Sequence, residues 1–205
     1  MSGRRIVVTG TDTDIGKTVF AAALARALGA SYWKPVQAGI EDGGDAATVA
    51  RLGLHTLPEA YRLITPCSPH RAAEIDGIAI DPARLALPDS EGPLVVEGAG
   101  GVLVPVTREL LFADLFARWG EPVVLVARTA LGTINHSLLS IEALRTRGVP
   151  ILGIAFVGDA GEDSEATIAR IGGVRRLGHL PRLDQITPET LDAAFAAHFH
   201  VEDFA

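Results

Sequence analysis

Short β-branched runs alternate along the chain with Ala- and Leu-rich amphipathic segments. Residues 5–9, 31–34, 94–97, 123–127, 151–157 and 175–180 read as strands. Several are apolar at almost every position, the pattern of strands covered on both faces. Between them, residues 17–28, 46–52, 111–119, 133–147, 162–171 and 188–199 carry helical periodicity. The last has a clear start signal, with Thr187 as N-cap and Pro188 at the first helical position. Strand–helix alternation predicts an α/β fold, a mostly parallel sheet with helices on both faces. Residues 58–93 are rich in Pro and turn formers and are expected as loops and short helices inserted into the same domain. No internal repeat interrupts the pattern, so residues 1–205 are expected to form one domain.

Composition narrows the class. With 205 residues, 48% of them apolar and 21% charged, the chain is long enough to close a core without disulfides or zinc. Cys67 is its one cysteine. A disulfide framework and a multi-cysteine metal site are thereby excluded, a reducing compartment is expected, and Cys67 is read as structural. The net charge is −7, and no basic run exceeds the pairs Arg4-Arg5 and Arg175-Arg176. Neither nucleic acid nor an anionic membrane is an expected partner. No apolar stretch approaches the ~20 residues of a membrane span, and the run at residues 6–8 is too short for a signal peptide. A cytoplasmic protein is expected. Of the six histidines, only His198 and His200 lie close in sequence, at a helix end where solvation is expected.

Candidate chemistry begins at Gly10-Thr-Asp-Thr-Asp-Ile-Gly16-Lys17-Thr18, directly after a strand and opening a helix. That context suits a phosphate loop. Backbone N–H groups and the helix N-terminus bind phosphate oxygens, Lys17 reaches the outer phosphates, and the Thr18 hydroxyl meets Mg²⁺. Five residues separate the two glycines, against four in the common pattern.

Mg²⁺ takes oxygen ligands, so acidic residues at strand or loop ends are expected to complete its site. Glu97 is expected to end its strand before a flexible Gly98-Ala99-Gly100-Gly101. Asp45 follows Gly43-Gly44, where it suits either a metal or a helix N-cap. Lys34 stands between a strand and Pro35. Parallel strands present their carboxyl ends to one crevice, so Lys17, Lys34 and Glu97 are expected to converge there.

With these residues assembled, the chain resembles the dethiobiotin synthetase family over nearly its whole length. The resemblance rests on Gly10 to Thr18, Lys34-Pro35-Val36, Asp45, Ser68-Pro69-His70, Val96 to Gly101, and Leu131-Gly132-Thr133-Ile134-Asn135-His136, in that order. It implies ATP- and Mg²⁺-dependent closure of 7,8-diaminononanoate with CO₂ to dethiobiotin, in biotin biosynthesis. Asp14, Ile15, Gly16, Lys17, Thr18 and Val19 would hold the phosphates. Thr18, Asp45 and Glu97 would hold the metal, and Lys34 would be the catalytic lysine, with Lys17 beside it. Glu97, Gly98, Ala99 and Gly100, together with Pro181, Arg182 and Leu183, would line the nucleotide. Thr13, Ala38, Gly132 and Asn135 would face the diamine, the last two lent by the partner of a homodimer.

The implied chemistry needs neutralised charge more than a nucleophile. An amine and CO₂ give a carbamate whose oxygen attacks the γ-phosphate, and the second amine then closes the ring on the mixed anhydride. Two positions depart from the family. Ala38 replaces a hydroxyl residue, for which Gln37 is expected to substitute, and Val157-Gly158-Asp159 stands where the family carries an Asn that reads adenine. The alternative function is a regulatory ATPase switch of the partitioning or nitrogenase-iron-protein type. Those switches place a signature lysine early in the loop, and Thr11 to Asp14 contain none.

Overall fold

The computed structural model describes residues 3–40 and 43–204, so residues 1, 2, 41, 42 and 205 of the expected domain lie outside the described residues. Strand β1 (Arg5–Gly10) leads into helix α1 (Lys17–Leu28), then β2 (Ser31–Trp33), β3 (Val36–Ala38) and α2 (Gly44–Arg51). After β4 (Thr56–Leu57), β5 (Tyr61–Leu63) and α3 (Pro69–Ile75) come β6 (Leu94–Gly101), α4 (Phe112–Trp119), β7 (Val123–Arg128) and α5 (Thr133–Thr146). Strand β8 (Ile151–Gly158), α6 (Glu162–Gly172), β9 (Arg176–Pro181) and α7 (Pro188–His198) follow.

Seven strands pair in the order β4-β2-β6-β1-β7-β8-β9, and every described pairing within this sheet is parallel. Period-two alternation splits the apolar side chains between two cores. Val7, Val96, Val123 and Leu125 face one, with Phe112, Phe116 and Ile141 of α4 and α5. Ile6, Val8, Val95 and Val124 face the other, with Phe20, Leu24 and Phe195 of α1 and α7. The strands are apolar throughout because both faces are buried. Capping ends several helices where the pattern does. Gly29, Gly120 and Gly173 adopt positive φ as C-caps, and the Thr187 side chain accepts from the Thr190 N–H.

Three expectations are corrected. Strand β6 runs on through Gly98 to Gly101, so Glu97 lies within it rather than ending it, and the glycines belong to the strand rather than to a loop after it. Arg5 to Val8 of β1 pair in register with Leu94 to Glu97 of β6, and Gly10 pairs with Gly101 beyond an irregularity. A second, parallel sheet of β3 and β5 was not predicted. Its strands are three residues each, too short for alternation to be distinguished from loop. Helix α2 starts at Gly44 with Gly43 as N-cap, so Asp45 lies inside the first turn and is not the cap.

The chain leaves β1 in opposite directions, to β2 on one side and, from its neighbour β6, to β7 on the other. Open α/β sheets place ligands outside the carboxyl ends of strands at such a switch point.

Candidate active site

The loop from Thr11 to Gly16 wraps the carboxyl end of β1. Asp14 adopts φ 52° and Gly16 φ 89°. A side chain at Gly16 would be strained, and its Cβ would lie 2.7 Å from Val157 Cγ1. Lys17, nearly buried, donates to the Asp12 carbonyl at 2.7 Å, back across its own loop.

Beside the loop, one carboxylate organises four residues. Glu97 is 1% exposed. Its Oε1 accepts from the Thr18 hydroxyl at 2.9 Å and from Lys34 Nζ at 2.9 Å. Its Oε2 accepts from the Tyr32 hydroxyl at 2.7 Å. Lys34 reaches across to Asp45 Oδ2 at 2.5 Å, so its ammonium bridges the two acids. Burial works against the charge on Lys34, but Glu97 and then Asp45 outweigh it and hold its pKa above the ordinary lysine value. For Lys17 burial wins and the pKa falls, with Glu97 opposing the fall and Lys34 adding to it. Burial, reinforced by the Glu97 charge, keeps the Tyr32 phenol protonated well above its usual range, so it remains a donor.

The expected residues fall into four groups. Thr13, Asp14, Ile15, Gly16, Lys17, Thr18, Val19, Lys34, Ala38, Asp45, Glu97, Ala99 and Gly100 line one crevice of about 700 Å³. Gly98 does not, because it is buried against the Phe116 ring, where an added Cβ would sit 3.0 Å from Cζ. Pro181 and Arg182 border a separate cavity beyond β8, and Leu183 packs on the α1 and α7 core. Gly132 and Asn135 are exposed at the start of α5, outside this crevice.

Two side chains depart from their expected roles. Gln37, expected to stand in for the hydroxyl missing at Ala38, lines the crevice beside it but spends its amide within the chain. Its Oε1 accepts the Asp45 N–H at 3.0 Å and its Nε2 donates to Gly39 at 2.9 Å, pinning the start of α2. Cys67, read as structural, is exposed and borders the crevice.

Tyr32 was missed. The available signal was its spacing of two from Lys34, which puts both side chains on one face of an extended segment. Tyr32→Phe removes one hydrogen bond from Glu97 without changing shape. It is expected to raise the Mg²⁺ concentration needed for half-maximal activity about tenfold, with activity recovering at saturating Mg²⁺. A Mg²⁺ titration of turnover checks this.

The donors fit Mg²⁺: a hydroxyl and two carboxylates, all oxygen. Among the described residues no group of three or more His, Cys, Asp or Glu could hold a metal by itself. That suits an ion held by one or two carboxylates together with substrate phosphates.

Comparisons with known proteins bear on the family and the fold. Residues 4–190 match a family described as an AAA domain. An ATP-dependent dethiobiotin synthetase from Novosphingobium aromaticivorans is 68% identical over 97% of this chain and 98% of its own length. The Agrobacterium fabrum protein of the same name is 61% identical over 98% of this chain and 96% of its own. The chain belongs to the dethiobiotin synthetase family. Solved structures add the fold alone. The septum site-determining protein MinD from Pyrococcus horikoshii, in complex with Mg-ADP, superposes with a TM-score of 0.57 at 15% identity, covering 98% of this chain and 88% of that one. A ParA family ATPase from Chlorobium tepidum gives a TM-score of 0.53 at 13% identity, over 96% and 92%. Dethiobiotin synthetases and partitioning ATPases thus share a sheet, while the high identity lies with the synthetases.

Proposed function

We propose that this chain closes the cyclic urea of dethiobiotin from 7,8-diaminononanoate, CO₂ and ATP, in the cytoplasm. The observation that carries the reading is Lys34, buried yet charged, bridging Glu97 and Asp45 beside a phosphate loop. A switch ATPase has no use for this second cation.

One amine adds to CO₂, losing a proton to give a carbamate. The carbamate oxygen attacks the γ-phosphorus and ADP leaves. The second amine then attacks the carbamoyl carbon, expelling phosphate and closing the ring. Lys17 and the loop N–H groups hold the phosphates, and Lys34 offsets the charge of carbamate and phosphate as they approach. Thr18, Asp45 and Glu97 would hold Mg²⁺, which supplies further neutralisation on the phosphate oxygens. Holding both amines in one crevice makes ring closure an intramolecular event. Incubation with diamine, bicarbonate and ATP, with mass detection of the cyclic urea, tests the reaction. ATP turnover indifferent to the diamine favours the switch instead.

The same reading includes a homodimer. Gly132 and Asn135 lie outside their own crevice, and two leucines beside them are uncovered, Leu131 just before α5 at 103% exposed and Leu139 on it at 56%. An α5 N-terminus lent to the partner's crevice would receive the substrate carboxylate. Asn135→Ala is then expected to raise the diamine KM with little change for ATP. Mixing it with Lys34→Ala protein restores activity, since one hybrid site carries neither lesion. No rescue despite subunit exchange means that each subunit builds its own site.

A further inference from the structure

A buried ionic cluster behind β8 and β9 has no part in the chemistry above. Glu165 on α6 is 1% exposed. Its Oε2 accepts from Arg176 at 2.8 and 2.5 Å. Its Oε1 lies 2.7 Å from His179 Nδ1 and accepts the Gly161 N–H at 3.2 Å. The other ring nitrogen, Nε2, lies 2.7 Å from the Gly158 carbonyl oxygen.

Both atoms facing the ring are acceptors. A carbonyl oxygen cannot donate. Burial pushes the Glu165 carboxyl up, but His179 and Arg176 outweigh it and hold it below the usual range, so it is ionised. Only a ring protonated on both nitrogens can donate to both partners. The cluster therefore grips the turn at residues 158–161 at both ends, by the Gly158 carbonyl and the Gly161 N–H.

The turn borders the phosphate loop, because Val157, the residue before it, packs on Gly16. Gly158 has φ 130°, and a Cβ there would lie 2.7 Å from Thr129 Oγ1, so the turn admits no side chain at that point. Between the two glycines it carries the Asp159 carboxylate and the Ala160 methyl. What it offers a nucleobase is mainly backbone, and backbone recognises only when it is held still.

We propose that His179, held by Glu165, is a positioning residue that fixes the backbone of residues 158–161 beside the phosphate loop, against the nucleotide. The inference rests on the ATP reading above. It explains how the chain can dispense with an amide side chain at Val157. Besides Glu165, Arg176 and the Gly158 carbonyl, the charged and titratable groups around the ring are Asp159, Glu162, Arg182 and His198, which share with it a cavity of about 440 Å³.

His179→Phe keeps a buried planar ring and removes both donors. The ATP KM is expected to rise about tenfold, the worth of one charge-assisted hydrogen bond. Turnover at saturating ATP and the diamine KM should hold within about twofold, and His179→Gln, which keeps an amide donor, should recover part of the ATP KM. A folded Phe variant with an unchanged ATP KM overturns the proposal. Should that variant not fold, His179→Gln decides: an ATP KM raised several-fold with the diamine KM unchanged supports the clamp, and an ATP KM equal to that of the wild type overturns it. Failure of the wild-type protein to make dethiobiotin would instead sink the reading of the reaction.

Discussion

Replacing Lys34 by alanine is expected to lower dethiobiotin formation about 10²–10³-fold while ATP still binds. The ammonium is 3% exposed and sits between Glu97 and Asp45. It is therefore fixed before the carbamate approaches the γ-phosphate, and a preorganised charge in a site with little water is worth about 3–4 kcal/mol of transition-state stabilisation. On the proposed reading ATP would be held by the loop and Lys17, so its binding is expected to survive. The sign with pH follows from the raised pKa. Lys34 stays charged throughout the neutral range, and its contribution fades only as alkaline pH passes the folded-state value, which lies above that of a free lysine. Removing the cation also leaves two acids facing each other, so a melting curve must accompany the kinetics. Near-normal turnover in the folded variant would reduce Lys34 to a counter-ion for Glu97.

Glu97→Gln is expected to be comparably severe, by a different route. The carboxylate receives Thr18, Lys34 and Tyr32 together. The amide preserves its shape but loses the charge and one acceptor. Apparent Mg²⁺ affinity should fall about 10–100-fold. Stability should fall by about 1–3 kcal/mol, because a buried donor loses its partner. Mg²⁺ titration against turnover separates the two roles. If the requirement for Mg²⁺ does not move while the protein melts earlier, Glu97 serves only Lys34 and the fold. Asp45, with a third of its side chain exposed, should tolerate Asn with a smaller rise in the Mg²⁺ requirement.

The sequence by itself determined the α/β class, six of the seven strands of the main sheet and six of the helices. Each is a run of several residues whose period, 2 or 3.6, is set by one buried surface. It also made the candidate phosphate loop legible, because Gly10, Gly16, Lys17 and Thr18 lie within one stretch of nine residues between a strand and a helix. The sequence already expected Lys34 and Glu97 in one crevice, but only the tertiary structure decided which strands are neighbours and which side chains touch. Tyr32, Lys34 and Glu97 converge because β2 and β6 are neighbours in register, with Tyr32 opposite Val95 and Trp33 opposite Val96. Nothing local in either strand encodes that pairing. Of the two roles open to Asp45, metal ligand or cap, the structure removes the cap, because α2 begins at Gly44 and Gln37 of the three-residue β3 binds the Asp45 N–H. The clamp of Glu165 and His179 on residues 158–161 joins α6, β8 and β9. Its members are ordinary polar residues in sequence, and their meaning comes from burial, which makes every unpaired acceptor costly and so fixes where the protons sit.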